Sequence, residues 1–171
     1  MNEQYKVQVQ NLVDDLKAVF THAGLGGEAG EYKLLTQSFL YKFLNDKFLY
    51  EAQNVDSENT YEHLVSMSEE DYDWLLEDIG TSTAWMKPNQ FIETLHRKQN
   101  ESDFYETFEN TLNQIAIDNN DIFSVHTDEN TTVRLFNERL ITDIIPDSSK
   151  RNEVAKSIIN LLARVKFDEA I

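Results

Sequence analysis

Helix breakers are scarce in this sequence, and that scarcity constrains the fold more than any motif does. Five Gly and two Pro are all that interrupt 171 residues. Apolar residues recur at a spacing near 3.6, and no long run of β-branched residues alternates as a half-buried strand requires. In the first segment Val9, Leu12, Val13, Leu16, Val19 and Phe20 form one stripe. The stripe predicts a helix up to about His22, broken by Gly24, Gly26 and Gly27. A second helix follows from about Glu28 to Gln53, with Tyr32, Leu35, Phe39, Phe43 and Leu44 on one face and Leu40, Phe48 and Leu49 widening it. So wide an apolar arc is expected to make this helix central to the core.

Residues Asn54 to Asn59 read as a loop, after which Thr60 or Tyr61 opens a short helix to about Met67. Ser68-Glu69-Glu70-Asp71 has the form of an N-terminal cap with acids in the first turn. Tyr72, Leu75, Leu76 and Ile79 supply the buried side of that helix, and Gly80 suits its C-terminal cap. Pro88 begins a helix through Phe91, Ile92 and Leu95, as a proline in the first turn does. Another runs from about Ser102 to Ile117, with Phe104, Phe108, Leu112 and Ile115 in register.

Asp118 to Thr132 is the least regular stretch and fits either a loop or a short strand pair near 121–133. Arg134 to Ile145 predicts a short helix stopped by Pro146. A final helix capped by Ser148 or Ser149 turns Val154, Ile158, Leu161, Leu162 and Val165 inward. The expected architecture is all-α: an irregular bundle of about six to seven helices, forming one domain over 1–171.

The formal charge is −16, from 31 acids against 15 bases. Residues 1–80 carry net −11, residues 81–147 net −7 and residues 148–171 net +2. A phosphate backbone attracts Lys and Arg, so this balance opposes an autonomous DNA-binding module. Cysteine is absent, which excludes disulfides and thiolate metal sites. No apolar run approaches the ~18 residues of a membrane span, and Met-Asn-Glu-Gln-Tyr-Lys does not begin a secretory leader. A cytoplasmic protein that does not engage membranes is expected. The apolar ending Phe167-Asp168-Glu169-Ala170-Ile171 suggests that the natural sequence continues.

Catalytic patterns are sought in vain. Gly24-Leu25-Gly26-Gly27-Glu28-Ala29 formally matches G-x-G-x-x-A, but a nucleotide turn needs a strand before the glycines, and here an amphipathic helix precedes them. Glu28 and Glu31 would also repel an anion, so a helix-helix connection is expected. His22, His63, His96 and His126 lie in separate elements with no H-E-x-x-H. Asp118-Asn119-Asn120-Asp121 lacks the glycine and terminal glutamate of a calcium loop and reads as an Asx-rich turn. Lys87, His96, Arg97 and Lys98 bracket one helix, and Lys150, Arg151, Lys156, Arg164 and Lys166 decorate the last. Both sets read first as solvated faces. No catalytic, cofactor-binding or metal residue is assigned.

Gly30-Glu31-Tyr32-Lys33, followed by Phe39-Leu40-Tyr41-Lys42-Phe43-Leu44-Asn45-Asp46-Lys47-Phe48, resembles a pattern near the start of the modification subunits of type I restriction-modification systems. In that family of N-6 adenine-specific DNA methylases, an E-Y-K leads into an aliphatic-aromatic helix ending in a K-Y-I-S-D-K-F type sequence. Trp85-Met86-Lys87-Pro88, Phe108-Glu109-Asn110-Thr111-Leu112, Ile117-Asp118-Asn119-Asn120, Arg139-Leu140 and the final helix resemble later family segments, in order.

The resemblance implies a helical N-terminal domain whose full-length parent methylates the exocyclic amine of adenine with S-adenosylmethionine. By the same resemblance its partners are a specificity subunit, a second modification subunit and the restriction subunit, with DNA in the assembled complex. That chemistry uses a glycine-rich cofactor turn and an N/D-P-P-Y/F loop that grips a flipped base. Pro88 and Pro146 are not adjacent, so the catalytic domain is expected downstream and is absent from these residues. The competing classes are an acidic anti-restriction protein that mimics DNA, and a stand-alone helical adaptor or an enzyme of unrecognised type.

Overall fold

Helices begin at Thr60, Ser68 and Asp147, where a side-chain oxygen takes a free amide, and Gly80 ends one of them. The computed structural model describes residues 3–120, 125–126, 132–133 and 136–167, the two short stretches by their backbone alone. Among these residues it is an all-α bundle of eight α-helices and one 3₁₀ turn. They are α1 (Glu3–His22), α2 (Ala29–Val55), α3 (Tyr61–Ser66), α4 (Glu69–Ile79), α5 (Ile92–Arg97), α6 (Phe104–Asp118), α7 (Leu140–Ile144) and α8 (Ser148–Arg164), with the 3₁₀ turn at Pro88–Gln90. Val125–His126 and Thr132–Val133, labelled β1 and β2, pair antiparallel, with Val125 opposite Val133. The strand-pair alternative for 121–133 therefore describes this stretch. The rest of Asp118–Thr132 beyond Asn120, and the Arg134 start expected for the seventh helix, lie outside the described residues.

Eight α-helices are present among the described residues against the expected six to seven, and three of them are only five or six residues long. The helix expected from Pro88 is split at Phe91. Its first turn closes as 3₁₀, with Lys87 N–H donating to Gln90 Oε1 at 2.8 Å, and α5 starts afresh at Ile92. Helix α7 spans only Leu140–Ile144, shorter than the expected Arg134–Ile145, since 136–139 form a bend and turn before it. Gly80 ends α4 at φ 61°, a conformation that costs a glycine little.

The centre of the bundle belongs to α8 rather than to α2. Helix α8 packs on α1, α5, α6, α7 and α2, burying Val154, Ala155, Ile158, Ile159 and Leu162 in two adjacent rows. Leu161 and Val165 stay half-buried. Leu12, Leu16 and Phe20 of α1 and Phe104, Phe108, Leu112 and Ile115 of α6 join the same core.

Helix α2 meets the expected face in part: Leu44 and Phe48 are buried, but Tyr32 and Phe43 are exposed. Its buried residues are Leu34, Ser38, Tyr41, Lys42, Leu44, Asn45, Phe48 and Ala52. Tyr32 is 71% exposed and Phe43 42%, while Leu35, Phe39, Leu40 and Leu49 are half-buried. Counting apolar residues selected the aromatic stripe. The helix instead turns inward a side on which Tyr41, Lys42 and Asn45 find partners inside the fold, while the Ser38 hydroxyl is buried with no partner. Gly30 lets α2 approach α7 closely: a Cβ there would meet Ile144 Cγ2 at 2.7 Å. Among the described residues no helix is long and apolar enough to cross a membrane.

Candidate functional site

Buried polar side chains must be paired, so their partners show what holds the bundle together. On α2, Lys42 Nζ lies 3.1 Å from Asp46 Oδ2, with side chains only 5% and 10% exposed. The same carboxylate accepts the Phe167 amide at 2.9 Å, and the Phe167 ring sits 5.7 Å beneath the Lys42 ammonium. Phe167 also stacks on Phe39 and meets Tyr5 edge-on, which clasps the segment leaving α8 onto α1 and α2. One turn away from Lys42, Asn45 Oδ1 accepts the Ile92 amide at 2.9 Å and so begins α5. Its Nδ2 donates to Asp46 Oδ1. A buried ion pair gains stability only when its remaining lone pairs are satisfied, and the amides of Phe167 and Asn45 do that here.

A second layer continues from Tyr41, whose hydroxyl donates to Gln90 O at 2.6 Å. Burial pushes this phenol well above its ordinary pKa, so the group stays a donor. Gln90 Nε2 donates to Asp118 Oδ2 at 3.0 Å, and Lys87 Nζ approaches the same oxygen at 3.7 Å. Asn119 accepts from Trp85 N–H at 2.7 Å and donates to Trp85 O and Ile115 O, each at 2.8 Å. Tyr72, also shifted upward by burial, donates to Met86 O.

Lys42, Asn45 and Asp46 secure α5 and Phe167, and Trp85 is held by Asn119. Asp118 is the exposed last residue of α6 and Asn119 its buried C-terminal cap, and Asp121 lies outside the described residues. Periodicity could not find this network, because its members lie on apolar faces as isolated polar residues. Glu109 belongs to the same class: buried, it accepts Thr142 N–H and Oγ1–H, both at 2.8 Å, at the start of α7.

The glycine turn is a helix-helix connection. It follows α1, and Gly27 N–H donates to Glu31 Oε2 at 2.7 Å. The carboxylate stands where a phosphate would have to sit, and no strand precedes the turn, so these residues do not fit a methyl-donor or nucleotide site. His22, His63 and His96 lie on α1, α3 and α5, and His22 Nε2 lies 4.0 Å from Glu153. Among the described residues no group of three or more metal-capable side chains converges.

Of the expected cationic sets, Lys87, Arg97 and Arg151 meet neighbours, while Lys98, Lys150, Arg164 and Lys166 are exposed, as solvated faces require. Arg97 pairs with Glu62 at 2.7 Å and Glu93 at 3.1 Å and covers the Tyr61 ring. These carboxylates, Glu62 first, hold its guanidinium above its ordinary pKa. Arg151 donates to Ile145 O and Pro146 O. A cleft of about 680 Å³ between α2, α3, α5 and the end of α8 is lined by both signs of charge, with Arg97 and Lys166 facing Asp46, Glu62 and Glu93. The arrangement organises helices. Compared with known proteins, the chain matches no family model, no curated sequence and no solved structure.

Proposed function

We propose that this chain is the N-terminal assembly domain of a type I restriction-modification DNA methyltransferase subunit, and that it positions partners without performing chemistry. The supporting observation is the network just described. Lys42, Asn45 and Asp46 of the resembling helix, Trp85 and Lys87 of the aromatic-to-proline segment, and Asp118 and Asn119 of the later turn are all spent on holding helices together. A helical preface needs residues in those roles, and an active site would leave some of them facing a substrate.

In this reading the parent enzyme methylates adenine with S-adenosylmethionine, a specificity subunit chooses the DNA site, and this domain packs against those components in the cytoplasm. The DNA following the codon for Ile171 is then expected to encode an N-P-P-Y/F loop. The purified chain is expected to show no heat of binding with S-adenosylmethionine in calorimetry. Cofactor binding by these residues, or flanking genes without a methyltransferase, would overturn the proposal.

A DNA mimic is the second reading, favoured by one observation. Helix α4 exposes Glu69, Glu70, Asp71, Asp73, Glu77 and Asp78 with no base among them. Displacement of DNA from a restriction enzyme by the purified chain alone would select it. Against it stands α2, whose outward side carries lysines.

A further inference from the structure

The outward face of α2 has an order that its inward face does not need. At 100° per residue, Tyr32, Phe39, Phe43 and Tyr50 fall within about 40° of arc, opposite the buried set, along about 27 Å of helix. Tyr32 is 71% exposed, Phe43 42% and Tyr50 41%, and Phe39 forms the half-buried edge beside Phe167. The aromatic spacing is palindromic: seven residues, then four, then seven.

We propose that this strip is a self-association surface, on which a second copy of the chain packs its own α2 antiparallel about a two-fold axis. A two-fold interface places one patch against itself, so residue i meets j and j meets i. In the antiparallel register Tyr32 of one copy faces Tyr50 of the other, and Phe39 faces Phe43. All four aromatics pair at once. Charge selects the same face. The molecule carries −16, yet α2 has no carboxylate between Glu31 and Glu51 except Asp46, which turns inward to Lys42. Lys47 lies over the Tyr50 ring at 5.6 Å and is neutralised by Glu51 at 2.9 Å. Two such acidic molecules repel each other elsewhere and can approach along this strip. One helix width over about 27 Å covers less than the roughly 800 Å² per partner of a standard interface, so the pair is weak and reversible. Screening by salt should tighten it. The inference does not depend on the functional reading above.

Sedimentation across a concentration series tests it. The weight-average mass should climb from 19.9 kDa toward twice that value, at lower concentration in 0.5 M salt than in low salt. Phe43→Glu, at an exposed position, should stay at the monomer mass with an unchanged helical circular dichroism spectrum. Because the chain has no cysteine, Tyr32→Cys and Tyr50→Cys report the register. Mixed under oxidation, they should give a cross-linked pair that neither gives alone. A wild-type mass that stays at 19.9 kDa at every concentration, or a Phe43→Glu chain that associates as well as wild type, overturns the proposal. Cross-linking of Tyr32→Cys with itself would overturn the antiparallel arrangement.

Discussion

Thr60 and Ser68 start α3 and α4 with hydroxyls that accept amides three residues downstream, from His63 at 3.4 Å and Asp71 at 3.2 Å. Helices α5, α6 and α7 have no such residue of their own. Asn45 of α2 takes the Ile92 amide, Asn152 of α8 takes the Tyr105 amide and Glu109 of α6 takes the Thr142 amide. The first pair of helices is capped locally and the second group is capped from across the fold. A local cap is a property of four consecutive residues. A remote cap exists only after two helices have packed, so it makes the start of one helix depend on the placement of another.

Removing Glu109 should open the widest gap between the two groups. Its carboxylate is 5% exposed and is the partner of both the Thr142 amide and the Thr142 hydroxyl. Glu109→Ala leaves that half-buried amide without its partner and removes a carboxylate from the α7 N-terminus, which should cost about 2 kcal/mol in urea unfolding. The loss should be global, because α7 also meets α2 and α8. A cost below about 0.5 kcal/mol would mean that water replaces the carboxylate, and the remote cap would then be dispensable.

Ser68→Ala is the matching test on the local side. The expected cost is about 1 kcal/mol, the usual size for a lost hydroxyl cap. Here the damage should stay in place: amide exchange at Asp71 accelerates, while the amides of α6 and α8 keep their protection. If exchange rose throughout the bundle, α4 would be as strongly coupled as α7, and the division between the groups would fail.

The same division explains what was legible in the sequence. The stripes of α1, α4 and α6, the Thr60 and Ser68 caps and the Gly80 stop follow from residues a few positions apart, and all are present. Ser102 was a reasonable start for α6, yet the helix begins at Phe104, because Asn152 supplies the acceptor and Asp103 takes the left-handed conformation at φ 53°. The inward face of α2 was misread for a related reason. Lys42, Asn45 and Ser38 look like surface residues until Asp46, Ile92 and Phe167 are in place around the first two, whereas Tyr32 and Phe43 look like core. The contact between Trp85 and Asn119 joins residues 34 apart, a distance at which no local pattern speaks.

Helix α8 lies between the two groups and gives the smallest effect. Its cap was expected at Ser148 or Ser149, but it is Asp147, one residue earlier, and Ser149 donates to Oδ1 through its amide at 3.0 Å and its hydroxyl at 2.6 Å. The hydroxyl first and the amide second hold the Asp147 carboxyl below its ordinary value of 3.8, with Lys150 and Arg151 adding to the effect. The folded pKa is therefore lower than the unfolded one. The cap's contribution is complete above the unfolded value and fades as the pH falls through the folded value, so it is lost only on the acid side of 3.8. Because the group is exposed, the change in stability should be slight, and the titration itself is the better readout. The carboxyl carbon of Asp147, followed by NMR, should show a midpoint below that of an ordinary aspartate. Ser149→Ala removes the hydroxyl and keeps the amide, so the midpoint should rise part of the way back. A midpoint unmoved by that substitution would show that the hydroxyl does not hold the carboxylate, leaving the Ser149 amide, Lys150 and Arg151 to carry the shift.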